Sequence, residues 1–198
     1  MKQRGSLFIN MRVLSILIFF IFSCKELTQT NKIQIATPNK TTIPVVVDPK
    51  LSLLKDTSKV VFFIKQLDVE IAFYKKYTVV QIEDSELLRI ERHLRYVVDS
   101  FNIDGKKRMD KIQREMGPSA KININHFIID LSRYKFQLVA ATNNLNEKEI
   151  WINAFCNSDS RNWRTEIVST KDGGICYFQC SFNLTQAKLI SFLVNEDV

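Results

Sequence analysis

Three cysteines and two histidines are the residues of this 198-residue chain that could support covalent catalysis: Cys156, Cys176, Cys180, His93 and His126. A Cys/His hydrolase or transferase needs a thiolate within hydrogen-bond reach of an imidazole. The three cysteines share an alternation with apolar residues, which predicts small buried side chains rather than nucleophiles. We therefore favour a non-catalytic protein and keep a Cys/His enzyme as the alternative.

Other chemical motifs are absent from the sequence. It contains no P-loop, no G-x-G-x-x-G, no H-E-x-x-H and no C-x-x-C. The cysteines and histidines have no pair at zinc-site spacing, so we expect neither a metal nor a cofactor.

The spacing of the cysteines also predicts that all three stay reduced. Cys176 and Cys180 are four residues apart on one expected strand, so their Cα atoms would lie about 13 Å apart. In a simple meander Cys156 would lie two strands away, at about 9–10 Å. Both distances exceed the limit of about 7 Å for a disulfide.

The fourth cysteine, Cys24, follows a segment with a basic start and an apolar run from Val13 to Phe22. The run is too short to span a bilayer, which requires about 20 apolar residues in a helix. Ile21-Phe22-Ser23-Cys24 resembles the lipobox of bacterial lipoproteins. The resemblance implies that the signal peptide 1–23 is removed, that Cys24 is acylated, and that the protein is anchored to a membrane of the bacterial cell envelope.

The chain beyond Cys24 has a mild basic excess. The formal net charge of the whole sequence is +7, and three unpaired basic residues, Lys2, Arg4 and Arg12, precede Cys24, which leaves +4 for the remainder. A basic run at 105–115 lacks aromatic interleaving, so we expect a solvated face and no nucleic-acid partner. Pro38, Pro44 and Pro49 predict a flexible tether over 24–58.

The remaining residues, 59–198, predict one globular domain. Val60 to Tyr74 fits both helical and strand spacing; we favour a helix, followed by a short extended segment from Thr78 to Ile82. An amphipathic helix that Asp84 or Ser85 can cap, and whose end is followed by Asp104-Gly105, is indicated by its apolar stripe: Leu87, Ile90, Leu94, Val97, Val98 and Phe101.

From Tyr134 onward, the apolar period becomes two, which predicts strands. Two strands flank a turn at Asn143 to Glu147, and further strands are expected at 163–170, 176–184 and 188–194. We therefore predict an α+β domain in which the amphipathic helix packs on a curved antiparallel sheet of about four or five strands. This layer resembles cystatin or nuclear-transport-factor architecture, a fold analogy that carries little functional weight.

The segment from Glu149 to Asn195 resembles the C-terminal part of small uncharacterised bacterial proteins, often lipoproteins, and this resemblance implies no activity. Trp151, Asn153 and Tyr177 would share the sheet face opposite the cysteines. An uncovered face would be a binding surface, whereas a covered one would be core. We expect a binding module with these three residues as its surface and, besides the membrane reached through Cys24, an envelope protein or ligand as partner.

Overall fold

The computed structural model describes residues 52–156, 162–170 and 172–195. The expected signal peptide, Cys24 and most of the expected tether lie outside these ranges. Short 3-10 turns occur at Leu53–Lys55, Ile124–His126, Leu131–Arg133 and Gly174–Cys176. The α-helices and strands, in chain order, are β1 (Val60–Phe63), α1 (Gln66–Phe73), β2 (Thr78–Val79), α2 (Asp84–Met116), β3 (Lys135–Thr142), β4 (Lys148–Phe155), β5 (Tyr177–Asn183) and β6 (Lys188–Val194).

These strands form one open sheet in the order β1-β3-β4-β5-β6, and β2 also pairs with β3. Strands β3 to β6 are an antiparallel meander, whereas β1 runs parallel to β3. The predicted α+β class is confirmed as one long helix with a sheet of six strands. The sheet is larger than expected because it also includes β1, from the ambiguous segment Val60 to Tyr74, and β2, from the predicted extended segment Thr78 to Ile82.

That ambiguous segment contains both a strand and a helix. Val60–Phe63 pairs with Phe136–Val139 of β3, so the preference for a helix was wrong there. The helix α1 follows at Gln66–Phe73, and the Asp68 carboxylate accepts a hydrogen bond from the Lys65 backbone N–H at its start. Pairing with a strand about 75 residues away decided the first half, and sequence spacing carries no information on such a partner.

Helix α2 buries the predicted apolar stripe, from Leu87 to Phe101, against the sheet. We expected it to end before Asp104-Gly105, but it continues to Met116. A Cβ at Gly105 would lie 1.9 Å from the carbonyl oxygen of Phe127, so this glycine permits a close approach of the backbone. Gly117, at φ 85°, is the residue that ends the helix.

Both faces of the sheet are buried at its central strands, β3 and β4. On the α2 face the core includes Phe136, Ile152, Phe178 and Phe182. A second apolar cluster lies on the opposite face, where Val69 and Ala72 of α1 pack with these sheet residues: Phe63, Val139, Ala141 and Trp151. Covering on both sides explains the almost continuous apolar character of β3 and β4.

The packed structure includes residues 52–58, which we assigned to the tether. Leu54 is buried against α2, and the Ser52 hydroxyl donates a hydrogen bond of 2.6 Å to the Glu91 carboxylate. Glu91 is fully buried and also accepts a hydrogen bond of 2.8 Å from Nε of Arg95. Burial raises the pKa of Glu91, but these hydrogen bonds lower it by more, so the net pKa lies below its usual value.

Replacing Glu91 tests this buried carboxylate. A carboxyl group whose pKa is lower in the folded state than in the unfolded state stabilises the fold. This stabilisation is complete at pH values above the unfolded pKa, about 4.3 for Glu. It is lost as the pH falls through the pKa of the folded state. We expect Glu91→Gln to reduce the free energy of unfolding by about 1–3 kcal/mol at pH 7. In urea unfolding, the difference from wild type should shrink below about pH 4. Glu115→Gln, an exposed change on the same helix, is the control; a pH-independent difference would contradict the assignment.

Candidate functional site

The sheet face around Trp151, Asn153 and Tyr177 is not an open surface. Trp151 is 6% exposed and lies in the same cluster as the α1 residues, and Asn153 is 3% exposed. Tyr177 is half-buried at the start of β5. The expectation of an open binding surface here was therefore wrong, because α1 and the segment 162–170 cover this face of the sheet.

Two buried amides hold that segment on the sheet. Gln137 and Asn153 face each other across β3 and β4, and Nδ2 of Asn153 donates to Oε1 of Gln137 at 2.9 Å. Gln137 also donates to the carbonyl oxygens of Trp163 and Glu166, at 2.6 and 2.7 Å. The Val168 backbone completes the network by donating to Gln137 and accepting from Asn153. These side chains take the place of a neighbouring strand, so 163–170 is a loop and the predicted strand was wrong.

Trp163 anchors the same loop through its ring. It is 8% exposed, packs edge-on against Phe155, and lies beneath the cationic groups of Lys135 and Arg164, at 5.2 and 4.3 Å from the ring centroid. Arg164 also donates to the carbonyl oxygens of Thr57 and Ser58. The loop thus ties the start of the domain to the covered sheet face.

Cys156 and Cys176 form a disulfide, so the expectation that every thiol stays reduced was wrong. Their Cα atoms are 5.0 Å apart, and the Cys156 N–H donates to the Cys176 carbonyl oxygen. The expected distance assumed an intervening strand at 163–170. Because that segment is a loop, β4 pairs directly with β5, and the two cysteines lie next to each other at the end of this pair.

The third cysteine, Cys180, is buried among apolar residues, as its alternation predicted. Burial raises the pKa of its thiol well above the usual value, which disfavours the nucleophilic thiolate. His93 packs against the Phe182 ring, and burial followed by the charges of Arg89 and Arg92 lowers its pKa. His126 is exposed in a 3-10 turn. The three cysteines of the described domain thus offer no accessible thiol to a Cys/His enzyme.

A groove lies beside α2. Its volume is about 280 Å³, and its walls come from the first turn of the domain, α2 and the segment 129–132. Asn102 fixes that last wall, because its amide donates to the Ile129 carbonyl oxygen and accepts from the Ile129 N–H. The groove combines apolar side chains with charges of both signs; its lining is Leu53, Arg95, Val98, Asp99, Asn102, Ile129, Asp130, Leu131 and Ser132.

The charged groups of the groove differ in how they are held. Arg95 is fixed by its ion pair with buried Glu91, yet its side chain remains 40% exposed. The Asp130 carboxylate accepts hydrogen bonds from Ser132, which lower its pKa. Asp99 is exposed, and within the described chain its carboxylate has no hydrogen-bond or ion-pair partner. The groove can therefore offer one oriented cation and one uncommitted anion to a small polar group.

No group of three histidine, cysteine or acidic side chains in the described ranges is arranged to hold a metal ion. None of the helices described combines the length and apolar character needed to cross a bilayer. Comparison of the chain with protein-family models, curated proteins and solved structures found no match.

Neither the groove nor the amide pair was predicted from the sequence. A groove depends on how distant segments pack, so no local pattern signals it. The sequence does indicate buried hydrogen bonds at Gln137 and Asn153, because each is a polar residue within a mostly apolar strand. Such residues are buried only when they have hydrogen-bond partners.

Removing Asn153 tests the attachment of the loop. We expect Asn153→Ala to lower the free energy of unfolding by about 1–3 kcal/mol, since it leaves buried groups of Gln137 and Val168 without a partner. Hydrogen exchange should accelerate within 162–170.

Asn144→Ala, an exposed change in the β3–β4 turn, is the matched control and should leave both measurements unchanged. Wild-type stability and unaltered exchange in Asn153→Ala would contradict the role given to this side chain.

Proposed function

We propose that this chain is a lipid-anchored protein of the bacterial cell envelope whose α+β domain is a non-catalytic binding module. The Cys156–Cys176 disulfide is the observation that carries the proposal. Disulfides persist in oxidising compartments and are rare in the reducing cytosol, which supports export. The same bond removes two of the three candidate nucleophiles from a Cys/His mechanism.

The anchor in this proposal is the acylated Cys24. Its support is the lipobox-like Ile21-Phe22-Ser23-Cys24 after a short apolar run. Each buried methylene of an acyl chain contributes about 0.8 kcal/mol, so two or more chains hold a protein firmly in a membrane. Export before acylation agrees with the oxidising environment that the disulfide requires.

The binding site in this proposal is the groove beside α2. Trp151 and Asn153 are buried and cannot provide it. The groove is lined by Arg95 and Asp99 together with apolar side chains, a combination that suits a polar group of an envelope protein or of a smaller ligand. Its rigid walls, held by Asn102 and by the Glu91–Arg95 pair, reduce the cost of ordering on binding.

The finer fold assignment remains part of the proposal. An antiparallel meander from β3 to β6 packed on one long helix supports a cystatin-like or nuclear-transport-factor-like layer. The parallel strand β1 is an addition to such a meander. A shared layer does not specify activity, so the proposed function rests on the groove and the anchor.

Labelling with a palmitate analogue in cells tests the anchor. We expect the wild-type protein to be labelled and Cys24→Ala to lose the label completely, because the proposed acceptor sulfur is gone. Cys180→Ala removes a cysteine that is buried in the domain and should keep the label. An unmodified peptide spanning Ser23 and Cys24, recovered from membrane-extracted protein, would contradict acylation.

Photo-crosslinking in cells tests the groove. A photoreactive amino acid at position 99 should give a reproducible adduct, because that exposed side chain lines the groove. Position 110, also exposed on α2 but outside the groove, is the matched control and should give none. Equal adducts from both positions, or no adduct at position 99 in correctly localised protein, would contradict binding at the groove.

A further inference from the structure

An exposed apolar surface lies on the outer side of α1. Leu67, Ile71 and Tyr74 follow helical spacing and are 63%, 43% and 90% exposed, and Ile64, three residues before Leu67, is 59% exposed. We call these four residues the α1 surface. Solvent-exposed apolar residues grouped in this way mark interaction sites more often than scattered ones do.

The α1 surface faces solvent because the opposite side of the helix packs against the sheet. Val69 and Ala72 are buried in the cluster with Phe63, Val139 and Trp151. The Gln66 side chain donates to the Tyr77 carbonyl oxygen and accepts from the Val79 N–H, which fixes the start of the helix to the chain beyond its end. The α1 surface is thus held outward by its own packing.

Basic side chains lie at both ends of this helix. Lys65 precedes it, and Lys75 and Lys76 follow it, all three exposed. Asp68 accepts a hydrogen bond at the helix start, and Glu70 is the other acidic residue of the segment. Exposed apolar side chains favour contact with lipid tails by burial of their area, and nearby lysines are attracted to anionic headgroups.

We propose that the α1 surface docks the domain on the membrane that holds its anchor, with the apolar side chains among the lipid tails and the lysines at anionic headgroups. This inference rests on the proposed acylation of Cys24. Roughly 28 residues separate Cys24 from Ser52, so the described domain stays within about 100 Å of the bilayer even at full extension. Such confinement raises the local concentration of membrane and makes a small contact surface sufficient.

Docking through α1 also leaves the groove accessible. The groove is lined by α2, which packs on the opposite face of the sheet from α1. None of the four residues of the α1 surface lines the groove. A domain resting on α1 would present its binding groove away from the lipid.

A fluorophore on a single engineered cysteine tests the docking in the full, acylated protein. Cys156 and Cys176 are joined and Cys180 is buried, so a new exposed cysteine is the selectively labelled thiol of the described domain. The probe is an environment-sensitive dye at Leu67→Cys, in vesicles of phosphatidylethanolamine and phosphatidylglycerol with lipid-attached quenchers. Leu145→Cys, 76% exposed in the β3–β4 turn, is the matched control.

We expect a blue shift and strong quenching at position 67 but not at position 145. Lys76→Gln should lower the ratio of docked to undocked protein about fivefold on anionic vesicles, because each lysine near such a surface contributes about that factor. A dye at position 67 that remains solvated while the protein stays on the vesicles would overturn docking and leave anchoring intact.

Other occupants of the α1 surface give different results. Shielding of position 67 in cells but not on pure lipid vesicles would indicate a protein partner and overturn the proposal. Shielding without vesicles that grows with protein concentration would indicate a second copy and also overturn it. Failure of acylation is detected separately, by loss of the palmitate label.

Discussion

The direct pairing of β4 with β5 is the constraint on which the rest of the structure depends. It places Phe155 opposite Tyr177 and brings Cys156 and Cys176 together one residue beyond. The disulfide then closes the chain between them into a loop, part of which lies across the sheet. Without this pairing Cys156 and Cys176 would not be adjacent, and the disulfide could not form.

That loop and helix α1 together decide where a partner can bind. An apolar sheet must be covered on both faces, and here α2 covers one while α1 and 162–170 cover the other. The buried amides of Gln137 and Asn153 satisfy backbone groups that an irregular segment would otherwise leave unpaired over apolar side chains. Covering the sheet in this way shifts the accessible features to the groove beside α2 and to the outer side of α1.

Elements set by local periodicity could be predicted from the sequence. The buried stripe of α2 and the strands β3, β4, β5 and β6 agree with the apolar spacing of their own residues. Features set by distant pairing could not. The strand at Val60–Phe63 depends on its pairing with β3. Helix α2 continues through Gly105, where the absence of a side chain leaves room for the Phe127 backbone. Trp163 to Thr170 has the composition of a strand, but its hydrogen bonds go to side chains of Gln137 and Asn153 instead of to a neighbouring strand.

The same distinction explains the candidate sites. The burial of Cys180 follows from its own alternation, whereas the bond between Cys156 and Cys176 follows from strand order. Trp151 and Asn153 were assigned to the correct face of the sheet, but whether that face is open depends on segments elsewhere in the chain. The groove depends on three separate segments, and neither its walls nor its charges could be read from any one of them.

Peptide mapping of protein extracted from cells without reduction, with free thiols alkylated at harvest, tests the account most directly. We expect one linked pair of peptides containing Cys156 and Cys176, together with an alkylated Cys180 after denaturation. Alkylation of both Cys156 and Cys176 in the folded, freshly extracted protein would contradict the proposal, because the exclusion of these thiols from catalysis and the argument for export both depend on that bond.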